Sequence, residues 1–109
     1  MSRAIQSQLL KISNGRSPNY SNELWEEISK SIHDKTVSDI VKNSLKQSIN
    51  ARKSFQSFII DQVNKENKNI DNILDDNKQL FKIWSISTFG TTTNYQIEAR
   101  KHFRQLLVQ

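Results

Sequence analysis

Few side chains in this chain of 109 residues could do acid–base or metal chemistry. Histidine occurs only at His33 and His102, and neither has a second histidine or a Glu-x-x-His pattern nearby on its predicted helix. Cysteine is absent, which excludes thiolate nucleophiles, disulfides and cysteine-ligated zinc. With two glycines, the sequence also has no phosphate-cradling loop of the P-loop type. We therefore expect a protein that is not an enzyme and that uses no cofactor and no metal.

One segment has part of the spacing of a calcium-binding loop. Asn67, Asn69 and Asp71 match the first three ligand positions of an EF-hand. The sixth position is Asn72 instead of glycine, and the twelfth is Lys78 instead of glutamate, so the calcium interpretation fails. Acids in this segment are better explained by the first turn of a helix, where the helix dipole favours negative charge.

Basic residues are the best candidates for a functional surface. The net charge is +5, and residues 40–60 and 77–97 contain no acid, while an acidic block lies between them. Such segregation of charge is typical of a surface that contacts a partner of opposite sign. The candidate binding surface consists of Lys42, Lys46, Arg52, Lys53, Lys78, Lys82, Arg100, Lys101 and Arg104.

Three of these lysines are predicted to share one helix face. At about 100° per residue, Lys42, Lys46 and Lys53 fall within about 40° of each other on an uninterrupted helix. A solvated face is the commoner origin of such a stripe, and this alternative stays open. Arg52 falls on the apolar side of the same helix, so we expect it either to extend to solvent or to pair with an acid or a second subunit.

Five amphipathic helices in a single domain, residues 1–109, are predicted to position these side chains as a small all-α bundle. A long central helix over about 37–66 is expected to form an antiparallel hairpin with a helix over 70–86. Residues 85–94 resemble a loop, and the weak alternation of Ile83, Ser85, Ser87 and Phe89 leaves a strand open as the alternative. The apolar positions of the other three helices are Ile5, Leu9 and Ile12 in the first, Leu24, Trp25, Ile28 and Ile32 in the second, and Tyr95, Ala99, Phe103, Leu106 and Leu107 in the last.

Apolar segments are too short for a membrane span or a signal peptide. The longest purely apolar runs have three residues, as at Phe58, Ile59 and Ile60. We therefore expect a soluble, cytoplasmic protein.

Two functions follow from these observations as hypotheses. The first is a non-enzymatic binding or adaptor protein that acts through a macromolecular partner, with protein favoured over nucleic acid and homo-oligomers left open. The second is a nucleic-acid-binding protein that uses the basic helix stripe without sequence preference.

A short segment supports a third alternative. The stretch from Ile12 and Ser13 through Pro18, Tyr20 and Ser21 to Leu24 resembles the turn between the first two helices of small basic four-helix immunity proteins, which protect producers of pediocin-like bacteriocins. The resemblance implies a helical bundle that acts in bacteriocin immunity, and it covers about a tenth of the chain.

Overall fold

The structure, a computed structural model, describes residues 20–90 and 95–107, and within them it contains six α-helices and no strand. The prediction of a small all-α bundle is confirmed. The predicted first helix, at Ile5, Leu9 and Ile12, lies outside the described residues. The helices are α1 (Asn22–Ser31), α2 (Lys35–Gln47), α3 (Ile49–Glu66), α4 (Ile70–Asp76), α5 (Lys78–Phe89) and α6 (Tyr95–Leu107).

A chain of buried aromatic rings crosses the core from α1 to α6. Ring centroids are 5.4 Å apart for Trp25 and Phe55, 6.1 Å for Phe55 and Trp84, and 4.9 Å for Trp84 and Phe103. These separations lie in the range that aromatic pairs prefer. Both indole side chains are buried, so neither lies on the surface where a partner could contact it. The ring chain therefore ties four helices to one core.

The long central helix is interrupted, so its prediction as one helix over 37–66 is wrong. Ser48 has extended backbone angles, φ −116° and ψ 114°. Its N–H donates to the Ser44 carbonyl at 2.8 Å and ends α2, while its Oγ accepts from the Ala51 N–H at 3.1 Å and begins α3. Serine competes with the helix in this way because its hydroxyl satisfies backbone groups that a helix start leaves free.

The break at Ser48 gives the first stability prediction. We expect Ser48→Ala to lower the free energy of unfolding by about 1 kcal/mol, because an N-cap hydroxyl is lost. Urea denaturation followed by circular dichroism measures this difference. Ser57→Ala, at an exposed position inside α3, is the matched control and should change stability by less than about 0.5 kcal/mol. Equal stability of the two variants would contradict a stabilising role for the Ser48 cap.

The second arm of the predicted hairpin is also divided into two helices. Asn77 ends α4, where both its backbone N–H and its Nδ2 donate to the Ile73 carbonyl, at 3.2 and 3.0 Å. Its Oδ1 accepts from Ser29 Oγ at 2.8 Å, which explains an amide on the apolar side of the segment. The antiparallel arrangement itself is present, since Asn67 turns the chain in a left-handed conformation and Trp84 Nε1 reaches the Arg52 carbonyl at 3.0 Å.

The segment predicted as a loop over 85–94 is helical in its first half. α5 continues to Phe89 and ends at Gly90, whose φ of 70° is the left-handed cap that glycine adopts without strain. Buried Ser85 donates its hydroxyl to the Phe81 carbonyl at 2.6 Å, so it is satisfied within the helix. Residues 91–94 lie outside the described part of the chain.

Candidate binding groove between α2 and α5

α2 forms the first wall of a surface groove. Asp34 caps this helix by accepting from the Thr36 and Val37 N–H groups at 2.9 and 3.2 Å. Ser38, Lys42 and Lys46 then follow at intervals of four residues, which places them in one line about 12 Å long. The neighbouring face of α2 is buried in the core, so this line of side chains is left at the surface.

α5 forms the second wall and the floor. Leu80, Phe81 and Trp84 face the core, which turns the other side of α5 towards α2. The groove has a volume of about 400 Å³. Its α5 residues are Gln79, Lys82, Ile83, Ile86 and Ser87.

The groove is positively charged and partly apolar. Lys42, Lys46 and Lys82 line it together, and none of them forms an ion pair within residues 20–90 and 95–107. Ile83 and Ile86 add aliphatic surface. The Ser87 hydroxyl oxygen is shielded from solvent and has no hydrogen-bond partner among the described residues. The groove therefore offers cations and an apolar floor to a ligand.

Two of the cations predicted for the binding surface form ion pairs with acids outside the groove. Arg100 on α6 donates to Asp71 Oδ1 at 2.7 Å and to Asp75 Oδ1 at 3.0 Å, and Arg104 donates to Asp71 Oδ2 at 2.9 Å. The Arg100 guanidinium also lies 5.4 Å from the centre of the Phe81 ring. Hydrogen bonds from Arg100 and then from Arg104 lower the pKa of Asp71 below its usual value. These arginines fasten α6 to α4 and do not extend the groove.

The arginine–aspartate network gives a pH-dependent prediction. A lowered pKa means that Asp71 stabilises the fold fully above its ordinary pKa of 3.8 and loses this effect as the pH falls from that value through the lower pKa of the folded state. We expect Asp71→Asn to cost about 1 kcal/mol at pH 7, a modest figure because 37% of the Asp71 side chain is exposed and solvent screens it. Near pH 2.5 the difference from wild type should be smaller than at pH 7.

Urea denaturation at both pH values measures this change. Asp39→Asn is the matched control, because Asp39 is exposed and forms no ion pair within the described residues. A difference for Asp71→Asn that persists unchanged in acid would show that lost packing, instead of lost charge, causes it.

Arg52 has a role that none of the sequence alternatives included. Its Nη1 donates to the carbonyls of Leu45 and Lys46, at 2.8 and 3.0 Å. These carbonyls lie in the last turn of α2, where helix carbonyls lack intrahelical partners and the dipole favours a cation. Arg52 therefore caps α2 across the break at Ser48. In the part of the chain that the structure describes, it forms no ion pair and does not line the groove.

The remaining candidates do not meet at the groove. Lys53 follows the break at Ser48, so its predicted alignment with Lys42 and Lys46 on one continuous helix is wrong. Lys78 lines a separate depression of about 230 Å³ beside Asp75 and Asp76. Lys101 is exposed on α6 and does not line the groove.

The described residues contain no cluster of three or more His, Cys, Asp or Glu side chains that could hold a metal ion. His33 is exposed. His102 is half-buried between Trp84 and Phe89, and its Nε2 lies 2.8 Å from Gln56 Oε1, as expected for a packing residue. Within residues 20–90 and 95–107, no helix combines the length and the apolar character that crossing a bilayer requires.

Comparison of the chain with protein-family models, with curated proteins and with solved structures finds no match. The resemblance to bacteriocin-immunity proteins stays a prediction, because Ile12, Ser13 and Pro18 lie outside the described residues. The geometry of the groove is therefore the observation on which a function can be argued.

Proposed function

We propose that this protein is a non-enzymatic binding module that holds an acidic segment of a partner protein in the groove between α2 and α5. The observation that carries the proposal is the meeting of Lys42, Lys46 and Lys82, unpaired within the described residues, on one surface. Cations that lack internal partners are available to carboxylates of another molecule, and complementary charge directs association.

The composition of the groove favours protein over nucleic acid. Nucleic-acid affinity rests on many phosphate contacts, and the described residues supply three cations to the groove because Arg100 and Arg104 are bound to acids. Among the described residues that line it, none has an aromatic ring on which a base could stack. Ile83 and Ile86 instead provide an aliphatic floor, which suits the apolar side chains of a peptide.

Affinity capture with matched variants tests the proposal. The groove variant is K42E/K46E/K82E, and the control is K53E/K65E/K101E, which has the same net charge but changes exposed lysines away from the groove. A protein captured by wild type and by the control should be lost from the groove variant. The captured protein is then purified, and its binding is measured by calorimetry at low and high salt.

We expect the groove variant to bind the purified partner at least about tenfold more weakly than the control does. Equal affinity of the two variants would overturn the proposal. Fluorescence anisotropy with labelled DNA and RNA covers the other class of partner. Salt-sensitive nucleic-acid binding that is lost only in the groove variant would show that the partner is a nucleic acid and not a protein.

A further inference from the structure

The interface between α4 and α6 shows how this molecule joins a basic helix to an acidic one. Arg100 and Arg104 lie four residues apart on α6, and Asp71 and Asp75 lie four residues apart on α4. Arg100 contacts both aspartates, Arg104 contacts Asp71, and the Phe81 ring lies beside the Arg100 guanidinium. Equal spacing along two helices lets cations and acids meet in pairs next to an apolar side chain.

The groove contains the basic half of this arrangement, two cations four residues apart beside apolar side chains. Lys42 and Lys46 lie four residues apart on α2, about 6 Å along the helix axis. Ile83 and Ile86 provide the adjacent apolar surface, and Lys82 adds a cation from the opposite wall. Within the described residues these lysines form no ion pair with an acid.

We propose that the groove binds an amphipathic helix of another protein that carries two acidic residues four positions apart, next to a stripe of aliphatic or aromatic residues. Its acids pair with Lys42 and Lys46, and its apolar residues pack on Ile83 and Ile86. This inference rests on the proposed function and specifies the partner's binding element.

Neither a second copy of this chain nor its own N-terminal residues fit this description. α1 carries Glu23 and Glu27 four residues apart, but its apolar residues Leu24 and Ile28 are buried in its own core. The α1 helix of a second copy could therefore offer charge but no apolar stripe. Residues 1–19 contain three basic residues and no acid, so their charge has the same sign as that of the groove.

Synthetic helices test the pattern directly. The matched peptide is alanine-based, about 20 residues long so that its helix is populated, with two glutamates four positions apart and a leucine three residues after each. The control peptide has the same composition, but its glutamates are two positions apart, so only one of them can face the groove at a time. Circular dichroism confirms equal helicity, and titration of the full-length ¹⁵N-labelled protein measures affinity.

We expect the matched peptide to shift amide signals of α2 and α5 and to bind about fivefold more tightly than the control peptide. K42E/K46E should remove this preference, whereas K53E/K101E should keep it. Equal affinity of the two peptides, or matched-peptide shifts confined to other helices, would overturn the inference. So would self-association in analytical ultracentrifugation that K42E/K46E abolishes, because the occupant would then be a second copy.

The two experiments distinguish a wrong helix pattern from a wrong proposed function. If only the helix pattern is wrong, the groove variant still loses the captured partner while the two peptides bind alike. If the proposed function is wrong, the groove variant keeps every captured partner.

Discussion

Replacing Trp84 with alanine is expected to lower the free energy of unfolding by about 3–5 kcal/mol, the usual cost of truncating a buried aromatic side chain. Trp84 is buried, and its ring lies 6.1 Å from Phe55 and 4.9 Å from Phe103. In the wild-type protein the indole N–H donates to the Arg52 carbonyl at 3.0 Å, and the substitution removes this hydrogen bond. The variant therefore loses packing of α5 against both α3 and α6, together with one hydrogen bond.

Urea denaturation followed by far-ultraviolet circular dichroism measures the Trp84→Ala effect. Trp84→Phe is the companion variant, because it keeps an aromatic ring and removes the N–H donor, and we expect it to cost about 1–3 kcal/mol. A variant too unstable to show a cooperative transition agrees with the prediction. A loss below about 1 kcal/mol for Trp84→Ala would contradict the central position of this ring.

Arg52→Ala is expected to have the second largest effect, a loss of about 2 kcal/mol. Its guanidinium is the cation at the last turn of α2, and hydrogen bonds from charged donors contribute more than neutral ones. The carbonyls of Leu45 and Lys46 lose this donor in the variant. Because Lys46 lies in the same turn, we also expect the α2 wall of the groove to become more mobile.

Arg52→Lys separates charge from geometry. A lysine keeps the positive charge but replaces the rigid guanidinium, whose Nη1 donates to both carbonyls, by an ammonium on a flexible stem, so it should restore less than half of the lost stability. Urea denaturation gives the free energies, and hydrogen exchange of the α2 amides shows whether the change is local. Stability of Arg52→Ala within about 0.5 kcal/mol of wild type would show that the cap contributes little.

Within the described residues, apolar periodicity was sufficient to predict where helices lie but not their interruptions. The stripe that includes Leu24, Trp25 and Ile28 corresponds closely to α1. Neither glycine nor proline is present at 48 or 77, so no residue near either break forbids a continuous helix. Ser48 and Asn77 interrupt the helices through side-chain and backbone hydrogen bonds, and packing of both flanking helices on the core decides that these bonds form.

The candidate groove was predictable only in part, for the same reason. Lys42 and Lys46 belong to one helix, so their spacing alone places them together. Lys82 joins them through tertiary packing, as do Ile83, Ile86 and Ser87, which sequence reasoning did not select. The positions of Arg100 and Arg104 depend on where α6 packs, so their pairing with Asp71 could not be read from local spacing.

The two tryptophans donate their indole N–H groups to the same short stretch of α3. Trp25 Nε1 donates to Ser54 Oγ at 2.9 Å, and Trp84 Nε1 donates to the Arg52 carbonyl at 3.0 Å. Each indole proton gives its own signal in a nitrogen-correlated NMR spectrum, so hydrogen exchange can be followed separately in each half of the core. Deuterium exchange at equal rates would mean that the core opens as one cooperative unit, whereas faster exchange at Trp84 would mean that α5 and α6 detach first.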